Sequence, residues 1–392
     1  MISAIRNAKY LGVKIRTNAD VAPRPINLAF LMDVSDSMIG ERLQTVKRTL
    51  HAARSLFNPT DRVTLVTFGN DGFVVTDHLL LDESGIQIFY NKVDAIGTSG
   101  CTNLSAGIEA LLNVQIGQQP FDAIVVLTDG LVNNGVTSTT GLQTMFAGFG
   151  SVPITAIGYG ADHNRILLRN LALATRGSYV YVDSESLIPM AMGDLLSGIR
   201  REVLRGARLT VPQGWSYFEL GSDSFIGNIV ADRDYWVVYK RVRDTEDGPI
   251  VLTDATGYHE ELAVIAISDC HDLQEQVLRC RVAKAIAALS LVMEQSLRVV
   301  AATYNEISRL NDEFANLPDA MLARPLILRM KAQIAELLES HAHHSDDVLA
   351  RMSSDVVYLS SQRGVTSGDT LSFSSPSQRA ASAQVKTSYQ ST

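Results

Sequence analysis

The sequence predicts an α/β protein organised on a doubly wound, mostly parallel sheet. Three observations carry that expectation. The stretch Ile26-Asn27-Leu28-Ala29-Phe30-Leu31-Met32 is a near-continuous apolar run, the pattern of a strand buried on both faces. Asp122-Ala123-Ile124-Val125-Val126-Leu127-Thr128 repeats it, and each run leads into an aspartate, Asp33 or Asp129. Helical patterns alternate with such runs, and repeated βα units imply parallel strands joined by crossovers.

Residues 1–25 hold an alternating stretch, Lys9 to Thr17, and a Pro-containing link, Ala22-Pro23-Arg24-Pro25. The alternation predicts a half-buried strand, expected to join a later β unit. Residues 26–203 carry the α/β text. A helix from Glu41 buries Leu43, Val46, Leu50, Ala53 and Phe57 at helical spacing, and Asn58-Pro59-Thr60-Asp61 breaks it. Val63 to Phe68 is the next strand, and Asn70-Asp71-Gly72 turns it into Phe73-Val74-Val75. A helix over Ser84 to Val93 precedes the Gly-rich loop Gly97-Thr98-Ser99-Gly100-Cys101-Thr102-Asn103, and Leu104 to Val114 is helical again. Ile154 to Tyr159 and Tyr179 to Val182 are further strands around a helix from Asn164 to Thr175 that Gly177 closes.

After a helix reaching Val203 the text changes. Residues 204–268 read as a small β-sandwich, with strands at Ala207–Val211, Trp215–Leu220, Asp234–Tyr239 and His259–Ile267. Residues 269–363 read as a helical hairpin or bundle. Its first helix is expected to run unbroken from Leu273 to Phe314, on a stripe from Leu278 and Val282 to Ile307 and Leu310. Pro325 starts a second helix towards Leu338, and Asp346 to Tyr358 forms a third. Residues 364–392, rich in Ser and Thr, read as a disordered tail.

Composition narrows the function. Hydrophobic residues make up 46% of the 392, and no apolar run is long enough to span a bilayer. The opening Met1-Ile2-Ser3-Ala4-Ile5-Arg6 lacks the pattern of a secretory signal. The three cysteines, Cys101, Cys270 and Cys280, form no C-x-x-C pair, which fits a reducing compartment. A cytoplasmic or otherwise intracellular protein is therefore expected. The formal net charge of −8 disfavours nucleic-acid binding as the main task.

The strand ends carry the chemistry. In open α/β sheets ligands sit beyond the carboxyl ends of the strands. There Asp33, Ser35 and Ser37 offer a carboxylate and two hydroxyls at alternate positions, hard oxygens that suit Mg2+, Mn2+ or Ca2+. The plain alternative is helix capping by Ser35 or Ser37.

Asp33-x-Ser35-x-Ser37, the loop Gly97 to Leu104 and Leu127-Thr128-Asp129-Gly130, in that order, resemble a von Willebrand factor type A domain. Asp61-Arg62-Val63-Thr64-Leu65-Val66-Thr67-Phe68 and Ile157-Gly158-Tyr159-Gly160 are similar to its supporting phrases. The resemblance covers Ile26 to Val203 and implies a Rossmann-like fold with a metal-ion-dependent adhesion site. It also implies the metal ligands: Asp33, Ser35 and Ser37 from the first loop, Thr102 from the second, and Asp129 from the third, directly or through water. The later segments, including Leu359-Ser360-Ser361-Gln362-Arg363-Gly364, resemble domains that follow it in some intracellular members.

Two residues depart from the family pattern, Asp36 and Cys101, where glycine is common. Asp36 either strengthens cation binding while repelling a partner carboxylate, or points into solvent. Cys101 is expected to be a packed small residue rather than a nucleophile. His341-x-His343-His344-x-Asp346-Asp347 looks like a metal cluster but falls between helical patterns, so a solvated turn is expected. Asn103-Leu104-Ser105 matches a glycosylation acceptor and overlaps the metal loop.

The expected function is a metal-dependent protein-interaction module in a scaffold protein. A divalent cation, Mg2+ first and Mn2+ or Ca2+ otherwise, is held by two carboxylates and neutral hydroxyls, so it keeps an open or water-filled position. It would capture an Asp or Glu of a protein partner to complete its coordination. No catalytic residue is expected. The alternative is a structural component of a larger assembly or virion. A metal-assisted hydrolase ranks below both, because the sequence shows no G-x-S-x-G, H-E-x-x-H or P-loop and no His near the metal loops.

Overall fold

The computed structural model describes residues 2–17, 21–160, 162–182, 187–220, 225–243, 248–262, 264–266, 270–294, 300–339, 346–361, 379–381 and 383. Strands β1 (Ile2–Arg6) and β2 (Tyr10–Arg16) come first. The α/β unit follows with β3 (Asn27–Asp33), α1 (Glu41–Ala52), β4 (Arg62–Phe68), β5 (Gly72–Leu80), α2 (Glu83–Asp94) and α3 (Leu104–Gln115). It continues through β6 (Ala123–Thr128), α4 (Thr139–Phe146), β7 (Ile154–Tyr159), α5 (Arg165–Thr175), β8 (Ser178–Val182) and α6 (Leu187–Arg200). Strands β9 (Glu202–Thr210), β10 (Trp215–Tyr217), β11 (Phe225–Val230), β12 (Asp234–Arg241), β13 (Ile250–Thr253), β14 (His259–Leu262) and β15 (Val264–Ala266) come next. Helices α7 (His271–Glu294), α8 (Val300–Ala315), α9 (Asp319–Leu322), α10 (Pro325–Glu339) and α11 (Asp346–Ser361) close the series.

The central sheet runs β5-β4-β3-β6-β7-β8, parallel except where β5 turns back on β4. Every residue of β3 is buried, because the two-residue side-chain period feeds two cores at once. Leu28, Phe30 and Met32 face one core with Leu43, Val46 and Leu50 of α1 and Leu196 of α6. Ala29 and Leu31 face the other, with Ile108 and Leu111 of α3 and Leu167 and Leu171 of α5. Each large apolar side chain so buried contributes roughly 1.5–3 kcal/mol. The sheet is therefore doubly wound, as expected. Chain order reverses beside β3, with β4 on one side and β6 on the other, so the loops leaving β3 and β6 open into one crevice.

Local details differ from the reading. The first helix stops at Ala52, and a 3-10 turn at Arg54–Leu56 brings Phe57 into extended backbone at the core edge. Helix α4 and strands β1, β11 and β13 have no counterpart in the sequence reading, being short or flanked by weak patterns.

Strand β2 pairs with β1 on one side and β12 on the other, within a five-stranded sheet ordered β10-β12-β2-β1-β15. That sheet faces a four-stranded one, β11-β9-β13-β14, across a core that includes Leu11, Val13, Ile15, Leu209, Val237 and Leu252. Helix α6 enters β9 almost directly, and charges pin the junction. Arg200 forks onto the buried Asp61, with Nη1 at 2.8 Å from Oδ1, while Arg24 bridges Asp122 at 2.9 Å and Glu202 at 2.8 Å.

The single long helix expected from Leu273 to Phe314 is corrected to two, α7 and α8, which pack on each other. Arg281 of α7 reaches Glu306 at 3.1 Å and Glu313 at 2.5 Å. In one straight helix those groups would stand roughly 40 Å apart, at 1.5 Å of rise per residue. The apolar spacing survives because both halves of the stripe bury against one another, so periodicity is blind to the reversal. Residues 295–299 between them lie outside the described residues. Helix α11 packs its Val357 with Tyr179 and Tyr181 of β8, and Ser354 donates to the Tyr179 carbonyl at 3.2 Å. His341, His343, His344 and most of the 364–392 tail also lie outside the described residues.

Candidate metal centre

The first loop begins where β3 delivers a fully buried Asp33 to the crevice. Its Oδ1 accepts the Ser35 amide at 2.9 Å and the Ser35 hydroxyl at 2.6 Å. Ser35 Oγ lies 3.0 Å from Ser37 Oγ, so three oxygens form a contiguous line. Oδ2 of Asp33 accepts from the Thr128 hydroxyl at the end of β6, a contact the sequence reading missed. The capping alternative is overturned: Ser35 precedes a 3-10 turn, Asp36–Met38, without making a side-chain cap bond, and α1 starts from Gly40. The serine oxygens are not spent on helix ends.

The second loop is strapped to the first. Ser99 donates its amide to the Val34 carbonyl at 2.5 Å, and Asp36 donates its own to the Gly100 carbonyl at 2.8 Å. Gly100 returns an amide hydrogen bond to Asp36 Oδ1 at 3.1 Å. The Asp36 carboxylate is thus exposed yet turned onto the second loop, where it buttresses Gly100. Glycine is required at position 69, since a Cβ there would sit 2.1 Å from the Ser99 carbonyl oxygen. Thr102 is buried, with its amide held by Asn133 Oδ1 at 2.9 Å. Cys101 departs from the expectation of a packed residue: it is free and exposed, with its amide on Asn70 Oδ1. Asn103 caps α3, its Oδ1 accepting from Ala106, while its amide nitrogen donates to the Asn70 carbonyl.

The third loop places Asp129 beside this line, fully buried. Its Oδ1 accepts the Leu131 amide at 3.1 Å, and its Oδ2 accepts from Arg42 Nη1 at 3.1 Å. Arg42, in the first turn of α1, also lies 3.4 Å from the Ser37 carbonyl and donates from Nη2 to Asp162 Oδ1 at 2.5 Å. Sequence reasoning did not single out Arg42 or Asp162. A basic residue five positions past Ser37 was the only signal.

The electrostatics follow from burial. Desolvation pushes the Asp33 carboxyl up to about 6, against the hydrogen bonds from Ser35 and Thr128, and the nearby Asp129 adds to the rise. Desolvation opposes the charge of Arg42, but Asp162 and Asp129 outweigh it and raise its pKa. The hydrogen bond from Arg42 holds Asp162 below the usual carboxylate range. His163 comes close in space though not as a base: burial lowers it to about 4. Its Nδ1 meets the Gly160 carbonyl at 2.6 Å and its Nε2 meets the Tyr179 hydroxyl, so both ring nitrogens are engaged.

The candidate ligand atoms gathered at this crevice are oxygens: the carboxylates of Asp33 and Asp129 and the hydroxyls of Ser35 and Ser37. That set fits a hard divalent cation. Among the described residues, no group of three or more His, Cys, Asp or Glu is placed to hold a metal, so a thiolate or imidazole centre has no counterpart there.

Residues 27–191 match the family model of the von Willebrand factor type A domain. The chain carries a von Willebrand factor type A domain. Such domains are protein-interaction modules, mostly non-enzymatic, that bind a divalent cation at a metal-ion-dependent adhesion site. Human inter-alpha-trypsin inhibitor heavy chain H3 is 25% identical over 230 residues, 54% of this chain and 26% of that protein. Heavy chain H1 of Bos taurus is 24% identical over 274 residues, 64% of this chain and 30% of that protein. The chain thus spans less than a third of the length of these relatives. A type A protein from Catenulispora acidiphila superposes with a TM-score of 0.62 at 14% identity, covering 80% of this chain and 85% of its own. The ArnB paralog VWA2 from Sulfolobus acidocaldarius gives 0.62 at 13% identity, covering 91% and 96%. At that identity the two structures share the type A fold, including elements outside the matched residues. Among the described residues, no helix is long and apolar enough to cross a membrane.

Proposed function

We propose that this chain is a metal-dependent protein-interaction module. Asp33, Ser35, Ser37, Thr102 and Asp129 hold a divalent cation, Mg2+ in preference to Mn2+ or Ca2+, and the cation captures an Asp or Glu of a protein partner. The observation that carries this reading is the line of oxygens from Asp33 Oδ1 through Ser35 Oγ to Ser37 Oγ, with spacings of 2.6 and 3.0 Å and no capping role. Two carboxylates balance a divalent ion formally, and neutral hydroxyls leave it electrophilic towards one more carboxylate. His163, the imidazole near Asp129, has both ring nitrogens engaged and is held neutral by burial, which supports binding over hydrolysis. The sandwich and helices serve as the frame that presents this face. An intracellular setting is supported by free Cys101, Cys270 and Cys280.

Calorimetric titration with Mg2+ and Mn2+, on wild type and Asp33→Ala, tests the site. One ion bound by wild type and none by the variant is expected, with a protein partner recovered from lysate in Mg2+ and lost in chelator. Equal partner capture with and without chelator would instead favour a structural component of an assembly.

A further inference from the structure

The proposed ligand Asp129 already has a cationic partner. Arg42 Nη1 lies 3.1 Å from Asp129 Oδ2, and the other carboxylate oxygen accepts the Leu131 amide at 3.1 Å. The same guanidinium extends outward, with Nη2 2.5 Å from Asp162 Oδ1. The two carboxylates differ in setting: Asp129 is fully buried, whereas the Asp162 side chain is 57% exposed, and Arg42, at 29%, bridges inside and outside. A planar fork is the group that can hold two carboxylates at once, and it can shift its weight from one to the other.

We propose that Arg42 is an internal competitor of the cation, with Asp162 as the acceptor that takes its guanidinium when the ion binds. This rests on the metal-site reading above and adds its regulation. A divalent ion and a guanidinium cannot share Asp129 Oδ2 without strong repulsion, so ion binding moves Arg42 outward. In the ion-bound arrangement the cation neutralises Asp33 and Asp129 while Arg42 pairs with Asp162; without the ion the one guanidinium serves both Asp129 and Asp162. Cation affinity is therefore set partly by a residue that need not touch the ion. A partner or modification engaging Asp162 at the surface would shift it. Asp162 is a positioning residue for Arg42 in this scheme.

The test is a cycle of Mg2+ and Mn2+ dissociation constants, measured by calorimetry on wild type, Arg42→Gln, Asp162→Asn and the double variant. Arg42→Gln is expected to bind about tenfold more tightly, since it frees Asp129 and removes a positive charge. Asp162→Asn is expected to bind several-fold more weakly, because Arg42 then rests on Asp129 alone. In the double variant the weakening should vanish and its affinity should equal that of Arg42→Gln. Simple field effects would instead add, leaving Asp162→Asn equally damaging with or without Arg42. Additive effects, or an unchanged or weaker affinity in Arg42→Gln, overturn the competitor role while leaving the metal site standing. No ion bound by any variant, Arg42→Gln included, overturns both readings. Arg42→Met, which keeps the apolar stem without the charge, takes the place of Arg42→Gln in the same cycle if that variant folds poorly.

Discussion

Ser35 Oγ donates to Asp33 Oδ1 across 2.6 Å and stands 3.0 Å from Ser37 Oγ, at the point where a fully buried strand meets the crevice. The Ser35 and Thr128 hydroxyls each donate to one oxygen of that carboxylate, and Ser37 extends the row of oxygens outward. Ser37 is the exposed end of that line, so it can be removed without disturbing the core. Ser37→Ala should weaken Mg2+ binding by roughly tenfold, the scale of one lost oxygen ligand, and leave the melting temperature in chelator unchanged. Calorimetry and a thermal melt on the same preparation would check both parts.

The raised pKa of Asp33 sets a pH window. Its folded value of about 6 lies above the usual carboxylate value of 3.8, so the folded chain holds this proton more tightly than the unfolded chain does. In chelator, this group's contribution to stability is complete below about pH 4 and is lost as pH rises through 6. At neutral pH the ionised, buried carboxylate costs on the order of 1–3 kcal/mol. Asp33→Asn in chelator should therefore gain on wild type as pH rises from 4 to 7.5, read as the difference between two urea midpoints. Mg2+ acts in the opposite sense on wild type. Its affinity should fall about tenfold per pH unit below 6, where a proton competes for Asp33.

Gly69 couples the end of β4 to the Gly97–Asn103 loop. A methyl group there meets the Ser99 carbonyl oxygen at 2.1 Å, and that oxygen is backbone, which cannot rotate away. Gly69→Ala should push the Gly97–Asn103 loop outward, lowering both stability and Mg2+ affinity. An unchanged affinity would show that the second loop contributes little to the site.

Far from the crevice, Arg279 of α7 is fully buried against Glu219, with Nη1 2.8 Å from Oε2 and a further bond to Gln276 at 2.7 Å. This pair ties the helices to the sandwich. Arg279→Met alone should cost about 3–5 kcal/mol, because Glu219 is left buried without its partner. Adding Glu219→Leu should recover most of the loss in chemical denaturation, and Mg2+ affinity should be unaffected by either change.

Much of the α/β unit was legible in the sequence because its signals are local. An apolar run such as Leu28–Met32 and a helix break such as Asn58-Pro59 each depend on a few neighbouring residues. Chain alternation then dictates that Asp33 and Asp129 lie at strand ends, and strand order brings those ends together. The reversal between α7 and α8 was not legible, because an apolar stripe continues unchanged whether a helix runs on or folds back on itself. The pairing of Arg42 with Asp129 was hidden for a related reason. The two stand 87 positions apart, and no periodicity links a residue in the first turn of α1 to one in the loop after β6. By itself the sequence determined which strands carry hydroxyls and carboxylates to the edge of the sheet, since short-range sterics and burial decide that. Only the tertiary structure decided that a guanidinium would already rest on one of those carboxylates, because such a contact follows from how the helix packs across the crevice.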